Sequence, residues 1–383
     1  MSRPFDELRS VAEFVNGAAF KPEDWGESGA RIIRIQNLTD RSKPFNHTTR
    51  VVPEKVHVRR GDLLVSWSAS LGVFEWNEPD VALLNQHIFR VIPDDSKVDK
   101  RYLRYGLELA LLDMQRHLHG ATMQHVNRDE FLSTRIYLPP LPEQRRIAAI
   151  LDKADALRAK RGAALEQLNG LTQSAFLEMF GDPATNPKGW KTGVLGDVVH
   201  SASDGPHVSP KYVDAGVGVP FLSTRHVRRG ELVWDDLKFI SREDALLHWK
   251  KCKPERGDIL YTKGGTTGVA KAVDFDAEIA IWVHISLLKT NRALVEPRWL
   301  EEMLNSAHCY AQSQVLTHGI ANRDLGLKRM VRIRLFIPPI DIQRDFVRRA
   351  STMETLTMIE RESQQKFDTL FLSLQHRAFA GAL

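Results

Sequence analysis

Few residues of this 383-residue chain have the type and spacing needed for covalent chemistry. Cys252 and Cys309 are too few for a disulfide framework and lack the paired spacing of a zinc site, so both are expected to be reduced thiols. The run Gly264-Gly265-Thr266-Thr267-Gly268 lacks the Lys-Ser/Thr step that would make it a phosphate loop. No Asn-Pro-Pro-Tyr-like motif for amino-group methylation is present. Asp274-Phe275-Asp276 with Glu278 could approach a metal, but a solvated strand edge explains the cluster better. The expectation is no catalytic residue and no metal site.

Recognition chemistry is better represented. In the first half Gln36, Asn37, Arg41 and Lys43 follow a short apolar run and enter a polar loop, and Trp67, Ser68 and Ser70 follow the next run. In the second half Thr224, Arg225, His226, Arg228 and Arg229 take the first of these places, and Lys263, Gly264, Gly265 and Thr266 the second. His125 with Asn127, and His318 with Asn322, form a third matching set. Lysine and arginine neutralise phosphates, arginine pairs with guanine, and asparagine or glutamine with adenine. Adjacent glycines let backbone amides approach a phosphate closely. These residues suit contact with double-stranded DNA. The same places are polar in both halves while their residues differ, as expected of one scaffold reading two different sequences.

Composition permits this reading without demanding it. Hydrophobic residues make up 43% and charged residues 26%, as in ordinary globular proteins. Net charge is +5, with basic clusters at Arg225–Arg229 and Lys250–Lys253 that could equally be solvated faces. The start, Met1 to Asp6, has no apolar stretch behind a basic flank, and no run reaches the ~18 apolar residues of a membrane span. The expectation is a cytoplasmic protein with no membrane partner.

The elements that must position these side chains occur twice. Arg135-Ile136-Tyr137-Leu138-Pro139-Pro140-Leu141 recurs 199 residues later as Arg334-Leu335-Phe336-Ile337-Pro338-Pro339-Ile340. Gln144-Arg145 matches Gln343-Arg344 at the same offset, as do Leu157 with Leu356, Leu171 with Leu370 and Phe180 with Phe379. Upstream, Arg60-Gly61-Asp62-Leu63-Leu64 pairs with Arg256-Gly257-Asp258-Ile259-Leu260, and Asn127-Arg128-Asp129 with Asn322-Arg323-Asp324. One unit was built twice. Strands are expected at Ile32–Ile35, Leu63–Trp67, Val219–Leu222 and Ile259–Thr262, with tight turns at the Arg-Gly-Asp steps. Helices are expected over Tyr102–His117 and Trp299–Gln314.

The Pro-Pro pairs end each globular part. Beyond Pro142, Ile150, Ala154, Leu157, Ala164, Leu168, Leu171 and Ala175 recur at three- and four-residue spacing, predicting a helix from about Glu143 to Phe180 that Gly181-Asp182-Pro183 stops. Met353, Leu356, Phe367, Leu370 and Leu374 lie on the matching seam of a second helix. The two should pair antiparallel, each roughly 55 Å long, about a pseudo-two-fold axis. Arg161 and Glu360, at equivalent seam positions, are expected to form an interhelical ion pair that sets register.

The duplicated module, the Leu138-Pro139-Pro140-Leu141-Pro142-Glu143-Gln144-Arg145-Arg146-Ile147 step and the long helix after it resemble the DNA-specificity subunit of bacterial type I restriction–modification systems. Ile33-Arg34-Ile35-Gln36-Asn37-Leu38 is also typical of that family, whereas Asp341-Ile342 departs from Pro142-Glu143. The resemblance implies an α+β chain: two α/β target-recognition domains, residues 1–142 and 182–341, separated by spacer helices 143–181 and 342–383 in an antiparallel coiled coil. It implies a non-catalytic subunit whose domains each read one half of a bipartite site. The implied partners are two methyltransferase (modification) subunits carrying S-adenosylmethionine and restriction subunits using ATP and Mg, with no cofactor on this chain. Three alternatives stand beside it: an enzyme with its own nuclease or methyltransferase centre, a pure scaffold, and a specificity factor of a methylation-only or other phage-defence system. The purified chain separates the first two from the family reading, since it should neither cleave nor methylate, yet confer sequence-specific methylation once its partner is added.

Overall fold

The turns expected at the two Arg-Gly-Asp steps are both present in the computed structural model, which describes residues 4–117, 127–276, 278–319 and 323–383. Gly61 has φ +90° and Gly257 φ +98°, a region glycine enters without steric cost. Each turn is locked by its aspartate, which accepts from the backbone N–H three residues upstream: Arg59 N to Asp62 Oδ2 at 2.7 Å, and Glu255 N to Asp258 Oδ2 at 2.8 Å. From these turns run the buried strands Leu63–Ser66 and Ile259–Thr262.

The chain divides into two compact units, Met1–Ala163 with Arg361–Leu383, and Ala164–Glu360. In the first, a four-stranded antiparallel sheet has the order Ala12–Asn16, Ile88–Pro93, Leu63–Ser66, Gly72–Glu75. A second sheet has the order Asn46–Thr48, Ala30–Ile33, Ala82–Leu84, His57–Val58, its central pair parallel. Phe5–Glu7 pairs with Arg135–Tyr137 beside the Pro-Pro junction. The second unit repeats this framework. Val199–Asp204, Ile285–Thr290, Ile259–Thr262 and Ala270–Ala272 form the first sheet, and Val219–Leu222 runs parallel to Ala280–Ile281 in the other. Lys191–Val194 pairs with Arg334–Ile337 at its junction.

Two expectations needed adjustment. The first-half strand ends at Ile33, and Ile35–Thr39 is a short helix, because the Asn37 side chain accepts the Arg34 N–H and so caps a helical turn. Lys100–His117 is one helix, but its counterpart is split into Pro297–Asn305 and Ala307–Leu316. The cause is the edge strand Ala270–Ala272, whose free backbone groups are satisfied by side chains of the first segment. Asn305 bonds the Ala270 N–H and C=O, each at 2.9 Å, and Glu301 accepts from Ala272 N. Ser306 then leaves the helical region (ψ 153°) and caps the next segment by accepting from Cys309 N.

The long helices are Leu141–Phe180 and Ile340–Phe379, 40 residues each. Gly181, at φ +82°, ends the first by donating to the Leu177 carbonyl. Within each unit the start of one helix packs against the end of the other. In the first unit Ile147 and Leu151 share a core with Phe371 and Phe379, and Arg158 lies over the Phe371 ring at 4.5 Å. In the second unit Phe176 and Phe180 meet Phe346 edge-on, both at 5.6 Å. Each such pairing is antiparallel, as expected.

The seam itself differs from the leucine pattern. Leu157, Leu171, Leu356 and Leu370 are exposed, at 55%, 41%, 48% and 62%. The contacts run one residue later, through Arg158 and Phe371, while Leu168, Met353, Phe367 and Leu374 are partly buried as expected. Arg161 lies over the Phe367 ring at 4.5 Å and donates to Ser363 at 2.7 Å. Guanidinium stems and rings fill positions that leucines were expected to fill.

Candidate nucleic-acid interface

In the second unit the strand-end loop after Thr262 is built on two glycines. The backbone amides of Lys263 and Gly264 both donate to the His284 carbonyl, at 2.8 and 3.2 Å, and a Cβ on Gly264 would lie 2.1 Å from the His284 ring. Gly265, at φ +67°, donates its amide to the Arg323 carbonyl at 3.2 Å. The phosphate cradle expected of Gly264-Gly265 is therefore not available, since both amides are already used within the protein. Thr266 remains exposed at the tip, and Gly268 packs against Tyr310 and Ser313.

Lys263 also departs from expectation. Its side chain is buried, with the ammonium 3.2 Å from Asp204 Oδ2 and 3.2 Å from Asp324 Oδ1. Burial pushes the Asp204 carboxyl up, but hydrogen bonds from Lys251 and Lys263 outweigh it and hold the group below the usual carboxylate value. Two exposed side chains also approach Asp204, Lys251 at 2.6 Å and His207 at 3.7 Å.

The Thr224–Arg229 segment divides by role. His226 is buried and its Nδ1 accepts the Ser223 N–H, with burial and then Arg225 lowering its pKa. Arg225 is held by Asp236, at 2.9 Å to the carboxylate and 2.8 Å to the backbone carbonyl. Thr224 is half-buried in the short helical turn preceding the hairpin Val227–Arg228 with Glu231–Leu232. Arg228 and Arg229 are exposed at the hairpin end, with Gly230 at φ +78°. Arg229 lies 5.3 Å from the Tyr310 ring centroid, which brings the hairpin to the second helical segment. Arg323 donates to Gln314 of that segment at 2.6 Å, and His318 pairs its backbone with Asp324. Asn322 and His125 lie outside the described residues.

One surface of this unit therefore collects Arg228, Arg229, Tyr310, Gln314, Thr266, His318 and Arg323. Sequence reading missed Tyr310 and Gln314, which sit one helical turn apart. It also missed Arg323 as a contact, although the Asn-Arg-Asp repeat marked it.

The first unit is organised differently. Trp67 stacks on Phe89 at 5.6 Å and meets His87 edge-on at 5.1 Å, and Arg128 covers Phe89 at 5.7 Å. Ser68 is buried and Ser70 exposed. Asn127 caps the helix Arg128–Leu132 through Asp129 N and Glu130 N, so its side chain is already engaged. Asn37 is buried and donates to the Lys43 and Pro44 carbonyls, which likewise withdraws it from contact. Gln36 is half-buried, Lys43 pairs with Asp40 at 4.0 Å, and Arg41 is exposed. Arg41 borders a recess of about 330 Å3 formed with Phe45, Phe74, Trp76 and Arg104. That recess lies toward Glu75, whereas Ser70 adjoins Gly72, the opposite end of the same hairpin. The two first-half segments are thus not gathered as their counterparts are.

The duplicated sheets carry polar, cationic strand ends, and among the described residues no group of three or more His, Cys, Asp or Glu side chains could hold a metal ion. Residues 5–167 match the family model "Type I restriction modification DNA specificity domain". That match spans the first of the two repeated modules and the start of the long helix after it. The chain is 23% identical to the type I restriction enzyme EcoBI specificity subunit of Escherichia coli, over 98% of this chain and 85% of that one. The MjaVIII specificity subunit of Methanocaldococcus jannaschii is 21% identical over 83% of this chain and 78% of that one. Among solved structures, the S subunit from M. genitalium matches with TM-score 0.55 at 13% identity, over 99% of this chain and 96% of that one. A chain from structural work on complex assembly and conformational transition of the type I R-M system matches with TM-score 0.58 at 18% identity, over all of both chains. These likenesses support the fold of two α/β domains with long helices.

Proposed function

We propose that residues 1–142 and 182–341 are recognition domains that each read one half of a bipartite DNA site, and that 143–181 and 342–383 are the spacers that set the distance between the halves. The observation that carries this is the duplicated sheet framework bearing different exposed residues at equivalent strand-end loops, Ser70 in one copy and Thr266 in the other. In the second domain Arg228, Arg229 and Arg323 neutralise phosphates while Gln314, His318 and Thr266 face the bases; in the first, Arg128 and Ser70 are the contacts.

The exposed leucines of the long helices receive two modification subunits. Leu157 and Leu370 belong to one unit, Leu171 and Leu356 to the other, so the repeat supplies two equivalent apolar sites. S-adenosylmethionine is held by those partners, and ATP and Mg by restriction subunits, in the cytoplasm. No helix among the described residues is long and apolar enough to cross a membrane.

The test is methylation mapping. Cells expressing the chain with its modification partner should carry methyl groups at one split motif. Replacing residues 182–341 with another recognition domain should change one half of the motif only. Methylation without sequence preference, or a change in both halves, would overturn the proposal.

A further inference from the structure

Position 263 and its counterpart 67 fill the same place in the two copies. Lys263 N donates to the His284 carbonyl at 2.8 Å, and Trp67 N donates to the His87 carbonyl at 3.3 Å. Their surroundings match as well: Asp204 pairs with Ser286 across the sheet where Asn16 pairs with Phe89. In the first unit Trp67 lies flat on Phe89, rings 24° apart, with its Nε1 buried and, among the described residues, without a hydrogen-bond partner. In the second, a serine replaces the phenylalanine, an aspartate the asparagine and a lysine the tryptophan. An aromatic stack in one copy is an ionic clamp in the other.

The clamp reaches a segment on which the candidate interface depends. Asp324, which accepts from Lys263, sits in the turn that pairs with His318 and follows Arg323. The same turn is fastened to the loop by Leu325 N to the Lys263 carbonyl at 2.7 Å and Gly265 N to the Arg323 carbonyl at 3.2 Å. Arg329 donates to the Asp324 carbonyl at 2.9 Å from the other side. A buried ammonium is tolerated only when its charge is matched, and here two carboxylates match it. Without Lys263, Asp204 would keep Lys251 at 2.6 Å and Asp324 would keep Arg329 at 3.6 Å, but the cation that ties the two carboxylates together would be gone and the segment carrying Asp324 would move away.

We propose that Lys263 is a positioning residue: held between Asp204 and Asp324, it fixes the turn that presents Arg323 and His318 and makes no contact with DNA itself. This rests on the reading of the second unit as a DNA-recognition domain. It reverses the ordinary expectation for the two charges. Asp324→Asn removes a negative charge beside the DNA-facing surface, so electrostatics alone would tighten binding, whereas loss of position weakens it. Lys263→Met removes a cation, yet the salt dependence should stay unchanged.

The experiment uses the full chain with its modification partner and a duplex carrying the methylation-mapped site, with affinity measured across a salt series and amide hydrogen exchange followed without DNA. Asp324→Asn should weaken cognate binding about fivefold, and Lys263→Met about tenfold, the scale of a lost specific contact. The slope of log affinity against log salt should be shared by wild type and Lys263→Met, because losing a phosphate contact lowers its magnitude by about one. Exchange at the Asp324 and Leu325 amides should be faster in both variants. Equal or tighter binding by Asp324→Asn, a slope reduced by about one in Lys263→Met, or unchanged exchange would each overturn the clamp. A wild-type complex with no preference for the mapped duplex would refute the recognition reading, and the exchange arm would still decide the clamp. Asp324 is partly exposed, so its variant folds even where Lys263→Met does not.

Discussion

Gln144 and Gln343 explain at the level of single atoms why the Pro-Pro junction recurs. Gln144 accepts from Asp99 N at 2.8 Å and donates to the Lys97 and Pro139 carbonyls at 2.9 and 2.8 Å. Gln343 makes the same three bonds to Glu296 N, the Leu294 carbonyl and the Pro338 carbonyl, at 2.9, 3.0 and 2.8 Å. Both are fully buried. Gln144→Leu strands three backbone groups and should cost roughly 3 kcal/mol, read by urea denaturation. Arg229→Ala should weaken DNA binding evenly across sequences and lower the salt slope by about one. An unchanged slope would show that its guanidinium serves only Tyr310. Glu108 supplies a pH dependence. Burial raises its carboxyl to about 7, Asp155 adds to this, and Arg104 and Arg158 oppose it. A carboxyl with a raised folded-state value binds its proton more tightly in the folded state, so stability falls as pH rises from its ordinary 4.5 to about 7. Glu108→Gln should therefore gain relative to wild type between pH 5 and pH 8, measured by thermal unfolding at each pH. A constant difference would remove the assignment.

At the scale of the element, the long helices separate what they bury from what they display. Leu157→Glu with Leu370→Glu should leave stability within about 0.5 kcal/mol, since both side chains are exposed. The same pair should reduce recovery of the modification subunit on co-purification, and undiminished recovery would exclude these leucines from docking. The existence, direction and ends of these helices were legible from spacing, the Pro-Pro steps and Gly181. The seam was not, because Arg158 and Arg161 pack their stems on Phe371 and Phe367, and a leucine count cannot register arginines used as apolar filler. The short elements were legible where β-branched residues met a glycine turn, as at Ile259–Thr262. They were misread where a polar side chain capped the backbone, as Asn37 does. The same effect limited the site. Asn37, Asn127 and His226 have the types that read bases, but each is consumed by a local backbone N–H, and only coordinates distinguish the two uses.

For the whole molecule, the division into units assigns half of each long helix to each one. The first core contains Tyr102, Tyr105, Ile147 and Leu151 together with Phe371, Ala378 and Phe379 from the far end of the sequence. Gln375 donates to the Tyr105 carbonyl inside it at 2.8 Å. A fragment ending at Phe180 lacks all of the later residues and leaves that apolar face open. It should therefore not persist as a stable monomer, and sedimentation should find self-association or loss of structure. A monodisperse monomer melting like the full chain would refute this.

The bonds of Gln144 and Gln343 carry a further consequence. Every partner they engage is main chain, so the socket at the root of each long helix is indifferent to side-chain identity in the domain it holds. A different reading head that presents the same three backbone groups would seat equally well. Sequence preference in such a protein can change by exchange of cartridges, leaving the shaft untouched.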